Sequence, residues 1–131
     1  MEEKKRITSF QDLDVYQNSY SAMLIVMKDI VPKLPVSEKY DLIDQLSRAC
    51  KDIPRLIAEG YAKRHQKAGF QKYLDDAMGE CNEMVVSLSQ SKDIYSQRVD
   101  LQLCIKLIDS YDKSGRQLYK LAEAWNNFKR R

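Results

Sequence analysis

Apolar residues return at steps of three and four along four stretches of the chain, a period that places them on one face of an α-helix. The first stretch, from about Asp12 to Val31, carries Leu13, Tyr16, Tyr20, Met23, Met27 and Ile30, and Pro32-Lys33-Leu34-Pro35 closes it. The second begins at Ser37, whose hydroxyl suits a helix cap, runs to about His65 and repeats Leu46, Ala49, Cys50, Ile53, Ile57 and Gly60. The third, from about Ala68 to Tyr95, repeats Phe70, Leu74, Ala77, Cys81, Met84, Leu88 and Ser91. The fourth, from about Val99 to Asn127, repeats Leu101, Cys104, Ile108, Tyr111, Gly115, Leu118, Ala122 and Trp125. Alternating three- and four-residue steps are the period of near-antiparallel bundle packing, and the short connections turn each helix back along its predecessor. The predicted fold is all-α: one up-down-up-down four-helix bundle over residues 1–131.

The second pattern runs straight through Pro54. That residue lacks the amide that would bond the Cys50 carbonyl and crowds the turn before it, so a kink is expected there. An interior proline costs about 3 kcal/mol relative to alanine, and it persists where the packed structure uses its geometry.

Composition narrows the class. A chain of 131 residues, 44% hydrophobic and 31% charged, can bury its own core, while 4 Gly and 3 Pro leave little material for strand turns. No apolar run has the length of a membrane span, and the charged start Met1-Glu2-Glu3-Lys4-Lys5-Arg6 precedes no signal-like apolar region. A cytoplasmic protein without a membrane partner is expected. Cys50, Cys81 and Cys104 each fall on a predicted apolar face, the pattern of reduced core thiols.

Catalytic chemistry finds few candidates. Di-iron bundles need two Glu-x-x-His pairs, whereas His65 is the single histidine and no glutamate stands three residues before it. A Cys–His nucleophile would require His65, at a helix end, to reach a core thiol. The sequence holds no Gly-rich phosphate loop, no Gly-x-Ser-x-Gly elbow and no Cys-x-x-Cys pair. Glu59 and Glu83 would form a carboxylate pair if their helices faced each other; a packed or ion-paired carboxylate is the simpler reading. No catalytic residue, metal or cofactor is expected.

Ile53-Pro54 followed by Ile57-Ala58-Glu59-Gly60, with Gln45-Leu46-Ser47-Arg48-Ala49 before it and Ala77-Met78-Gly79 and Glu83 in the third helix, resembles the four-helix-bundle proteins encoded in intervening sequences of bacterial 23S ribosomal RNA genes. The likeness covers about Phe10 to Tyr95. It implies an antiparallel bundle that associates into a homo-oligomeric ring, a pentamer, and an association with ribosomal RNA by gene location. A distant relative is the accessory protein of diversity-generating retroelements, a basic pentamer that works with a reverse transcriptase and nucleic acid. Pro54, Glu59, Gly60, Gly79 and Glu83 carry over as structural or interface positions, with Gly60 and Gly79 read as points of close helix approach. The chain departs from the family pattern at Asp52 and Leu56, where serine and asparagine are usual, and at Gly79-Glu80-Cys81, which stands for Gly-Ser-Leu.

Charge adds a clue of its own. Residues 47–72 hold Arg48, Lys51, Arg55, Lys63, Arg64, Lys67 and Lys72 against Asp52 and Glu59, a net +5. Residues 113–131 hold Lys113, Arg116, Lys120, Lys129, Arg130 and Arg131 against Glu123, again +5. In the predicted topology both segments converge on one end, although Asp75, Asp76 and Glu80 dilute it. Arg48, Lys51 and Arg55, and again Lys113, Arg116 and Lys120, follow three-then-four spacing and so form stripes. Cations near helix C-termini also favour the macrodipole without any partner. The expectation is a non-enzymatic oligomer that contacts RNA or DNA through Arg48, Lys51, Arg55, Lys63, Arg64, Lys67, Lys113, Arg116, Lys120, Lys129, Arg130 and Arg131, or a partner such as a reverse transcriptase or ribosome-associated protein. The alternative is an oligomeric protein-interaction scaffold without nucleic-acid affinity.

Overall fold

A computed structural model of the chain describes residues 6–129, and for 127–129 the backbone only. Four helices follow one another, α1 (Asp14–Ile25), α2 (Leu42–Ala62), α3 (Gly69–Ile94) and α4 (Leu101–Lys129), with no strand among the described residues. Each helix packs on the next, and α1 closes the bundle against α4. End-to-end contacts give the direction of each. Phe70, at the start of α3, meets Trp125 near the end of α4 with ring centroids 5.4 Å apart, and Tyr61 at the end of α2 at 6.2 Å. At the opposite end the Tyr95 hydroxyl, just past α3, donates to Glu38, which precedes α2. This is the up-down-up-down arrangement that the spacing predicts.

The core of α2 and α3 follows the sequence pattern residue by residue. Leu46, Ala49, Cys50, Ile53, Ile57 and Gly60 are buried, as are Phe70, Leu74, Ala77, Cys81, Met84, Leu88 and Ser91. In α4, Cys104, Tyr111, Leu118 and Ala122 are buried with Leu107 and Ser114, whereas Leu101 stays 41% exposed. Leu101 opens its helix at the rim of the bundle, where Asp100 accepts a hydrogen bond from the Leu103 amide at 3.1 Å. α2 passes through Pro54 as one continuous element, and the proline ring is buried.

The first helix corrects the sequence reading. Its inward residues are Val15, Ser19, Ala22, Val26 and Ile30, while Tyr20, assigned to the core, is 43% exposed and Tyr16 is half-buried. The helix is apolar on two adjacent faces, so its period alone does not choose between them. Small Ser19 and Ala22 fit a tight contact, and tyrosine hydroxyls favour the wetter face. A π-helical turn, Val26–Ile30, follows α1 with the Val31 amide bonded to the Val26 carbonyl, which keeps Val26 and Ile30 both inward. The predicted start at Asp12 also shifts, because Asp12 is spent in a capping box, accepting from the Ser9 amide at 3.1 Å while Ser9 accepts from Gln11 at 3.2 Å.

Ser37 does not cap α2. Val36–Glu38 forms a separate 3-10 turn, and α2 starts at Leu42, whose amide donates to the Glu38 carboxylate at 3.3 Å. Glu38 thus reaches over Lys39, Tyr40 and Asp41 to do what Ser37 was expected to do.

A polar group in the core lacks a hydrogen bond. The Tyr111 hydroxyl is fully buried without a hydrogen-bond partner, and burial followed by the nearby Cys50 and Cys81 raises its pKa far above the ordinary value. An unpaired buried hydroxyl costs about 1–3 kcal/mol, so Tyr111→Phe is expected to raise the melting temperature, read by calorimetry. A fall in melting temperature would show that the hydroxyl is bonded in solution.

Candidate nucleic-acid interface

Between Gly60 and Leu74 the chain carries Lys63, Arg64, Lys67 and Lys72 and no acidic residue. This segment is the turn from α2 into α3, and its backbone is tightly constrained. Gln66 donates to the Lys63 carbonyl and Gly69 to the Gln66 carbonyl, both at 3.0 Å. Ala68 holds a left-handed conformation with φ 59, a strained geometry for a residue with a Cβ. A Cβ on Gly69 would lie 2.3 Å from the Lys63 carbonyl oxygen, so only glycine closes the turn this way.

Two of the cations are held in place by aromatic neighbours. Lys63 Nζ donates to the Tyr73 hydroxyl at 2.6 Å and lies 4.9 Å from that ring's centroid; the hydrogen bond raises the lysine pKa. Arg64 donates to the Tyr61 carbonyl at 2.7 Å with its guanidinium 3.9 Å over the Tyr61 ring. Neither is neutralised by a carboxylate in these contacts. Lys67 and Lys72 are exposed.

Helix electrostatics separate these four. Lys63 and Arg64 sit beyond the C-terminus of α2, where the macrodipole favours a cation. Lys67 and Lys72 flank the N-terminus of α3, where it does not, and that terminus has no side-chain cap and no acid in its first turn. Uncapped amides and lysines at one helix start are a combination suited to an anion.

The remaining basic residues divide. Arg48 pairs with Asp44 at 3.4 Å and Arg55 with Asp52 at 3.8 Å. Both line a groove between α2 and α3 that is acidic, with Asp52, Glu59, Asp75, Asp76 and Glu80 around Arg55. Glu80 has a raised pKa, chiefly from burial and then from Glu83 and Asp52. Lys51 leaves that face and lines the groove between α1 and α2 instead, so the predicted Arg48-Lys51-Arg55 stripe splits across two grooves. On α4, Arg116 pairs with Asp112 at 2.5 Å, while Lys113 and Lys120 are exposed. Lys129, Arg130 and Arg131 lie outside the described side chains. Trp125 packs half-buried on Phe70.

The thiols offer no nucleophile. Cys50, Cys81 and Cys104 are free and buried, and burial pushes Cys50 to about 11 and Cys81 to about 12 and raises Cys104. Native protein at about pH 8 is therefore expected to resist iodoacetamide at all three positions until denaturant is added, read by mass spectrometry. Rapid labelling of any one would contradict its burial. Among the described residues no group of His, Cys, Asp and Glu is placed to hold a metal ion, and no helix is long and apolar enough to cross a membrane.

Residues 11–120 match the family model described as 23S rRNA-intervening sequence protein. The chain belongs to that family. No curated protein and no solved structure matches it. The positions carried over from the resemblance to the 23S rRNA-intervening sequence proteins have different surroundings. At Gly60 a Cβ would meet the Tyr73 Cβ at 2.7 Å and Phe70 at 3.1 Å, so this glycine does mark the close approach of α2 and α3. At Gly79 a Cβ would meet nothing within 4 Å, which overturns the same reading there. Gly79 faces the open acidic groove, not a neighbouring helix of this chain. Glu59 and Glu83 line different stretches of the α2–α3 groove, and the near carboxylate to Glu83 is Glu80, one turn earlier on its own helix. Asp52 and Leu56, the departures from the 23S rRNA-intervening sequence pattern, line the acidic groove.

Proposed function

We propose that this member of the family is a non-enzymatic homo-oligomer, a pentamer, that binds structured RNA through the turn between α2 and α3. The observation that carries the reading is the placement of Lys67 and Lys72 at an uncapped helix N-terminus, where the macrodipole offers them nothing and a phosphate would use both the charges and the amides. Lys63 and Arg64, positioned on Tyr73 and Tyr61, extend the same surface. Lys113 and Lys120 lie on α4, whose C-terminal part approaches the same end, with Trp125 against Phe70. Repetition around a ring multiplies the phosphates one assembly can touch.

Electrophoretic mobility with structured RNA, duplex DNA and single strands at several salt concentrations tests this. Retardation at low salt that fades as salt rises is the expected result, and no retardation of any nucleic acid would overturn it. Assembly is tested separately. Light scattering after gel filtration is expected to give about five times the 15.3 kDa chain mass.

A second reading rests on exposed apolar side chains at the opposite end: Ile94 at 63%, Val86 at 55%, Ile105 at 43% and Leu101 at 41% on α3 and α4. Exposed apolar side chains suit protein contact. They serve the ring in the first reading, and they would serve a scaffold without nucleic-acid affinity in the second.

A further inference from the structure

The face of α1 that the core does not use is not blank. Tyr16 and Tyr20 stand with ring centroids 5.9 Å apart, and Phe10 packs edge-on against Tyr16 at 4.9 Å, so three rings run in a row along the groove between α1 and α2. The groove has a volume of about 350 Å³ and its opposite wall is built from Lys51, Pro54 and Arg55. Among the described residues no carboxylate lines it. The neighbouring α2–α3 groove is lined by five carboxylates, so the two sides of α2 carry opposite electrostatic character.

We propose that the α1–α2 groove is a binding site for single-stranded nucleic acid, with a base stacked on Tyr20 and a phosphate on Lys51. Aromatic rings set beside cations are the elements with which proteins hold single strands without reading sequence, since every base has a π-face and every linkage a charge. Tyr20 is the most exposed of the three rings; Tyr16 packs beside it, and Phe10 packs on Tyr16. Arg55 borders both grooves and is paired with Asp52 at 3.8 Å on the acidic side, so Lys51 is the cation that lines the α1–α2 groove without lining the acidic one. Lys51 and Arg55 lie about 12–18 Å along the α2 axis from Lys63, at about 1.5 Å per residue. A strand leaving the groove therefore arrives at the cations of the proposed RNA surface. The inference rests on that reading and adds a polarity to it: structured RNA at the turn, an unpaired segment in the groove.

Fluorescence anisotropy with a labelled unstructured RNA oligonucleotide, the DNA of the same sequence and a blunt RNA duplex tests it on the full-length chain. Tyr20→Ala is expected to weaken both single strands about tenfold, to leave the duplex unchanged and to keep the salt dependence, while Tyr20→Phe binds like the wild type. Lys51→Gln is expected to reduce the single-strand log–log salt slope by about 0.7. Wild-type affinity of Tyr20→Ala for single strands would overturn the groove and leave the proposed function standing. Failure of the wild type to bind either form of RNA would overturn both. A drop in particle mass for Tyr20→Ala, by light scattering, would make the groove a contact between copies and overturn the inference.

Discussion

Converting Lys63, Arg64 and Lys67 to glutamate is expected to lower the affinity for structured RNA by about three orders of magnitude at about 0.1 M salt. Each phosphate contact contributes roughly 0.9 to the log–log salt slope on a duplex, which at about 0.1 M salt is close to a factor of ten in affinity. Lys63 and Lys67 are exposed and Arg64 is half-buried, and among the described residues none of the three is in an ion pair with a carboxylate, so circular dichroism of the variant checks that the fold survives the loss of the Tyr73 and Tyr61 hydrogen bonds. Tyr73 and Tyr61 lose their cation contacts, a change at the surface only. Reversal of Lys28, Lys39 and Lys92 is the control. Lys92 is paired with Asp93 at 2.7 Å, and all three belong to the other end of the molecule. Equal losses from both sets would mean diffuse attraction and no site.

Gly60→Leu is expected to be the most damaging single change at the α2–α3 contact. The obstruction at 2.7 Å is the Tyr73 Cβ, an atom fixed to the α3 backbone, so relief requires the helices to separate rather than a side chain to swing away. Overpacking of this kind costs about 1–3 kcal/mol or somewhat more, well above the gain of about 1 kcal/mol from replacing a helical glycine. Separation would also shift Tyr73 away from Lys63, so RNA affinity is expected to fall with stability. Gly79→Ala is the counterpart: with open space around it, the propensity gain of about 1 kcal/mol is expected to appear as a higher melting temperature. Thermal unfolding of the two variants side by side gives the contrast, and a stabilised Gly60→Leu would contradict the packing described for this contact.

The fold was legible where a helix has one apolar face. The stripes of α2 and α3 each have a single way to turn inward, and every residue placed there by spacing is buried. In α1 the tyrosines and the Val-Ser-Ala-Val row compete, and small residues won the inward position because closeness of approach, invisible to a hydrophobicity pattern, favours them. The same misreading concealed the aromatic groove. A stripe of Tyr16 and Tyr20 read as core is a stripe of rings left outside, and the signal was present as tyrosine where the other helices use leucine. The basic stripes were legible as spacing, yet spacing along one helix says nothing of what faces it across a groove. Asp75, Asp76 and Glu80 on α3 surround Arg55, and Lys51 turns to the other side. Gly60 and Gly79 looked alike in sequence, since the presence of Tyr73 opposite one and of nothing opposite the other is a property of the packing.

The acidic α2–α3 groove and the basic turn lie on adjoining parts of the molecule, which gives the surface a sharp change of sign at the end of α2. An extended polyanion bound as proposed would be confined to the turn and the α1–α2 side. The same sign change limits how nearly a second polyanion-binding surface could extend along α3.

Titration of labelled structured RNA by anisotropy from about 50 to 200 mM salt tests the central claim most directly. Four cations at the turn, each matched to a phosphate, predict a log–log slope of about −3 to −4 for a single copy, and a steeper one if copies in a ring share the RNA. Absence of binding at about 50 mM salt, or binding that salt leaves unchanged, would contradict the account.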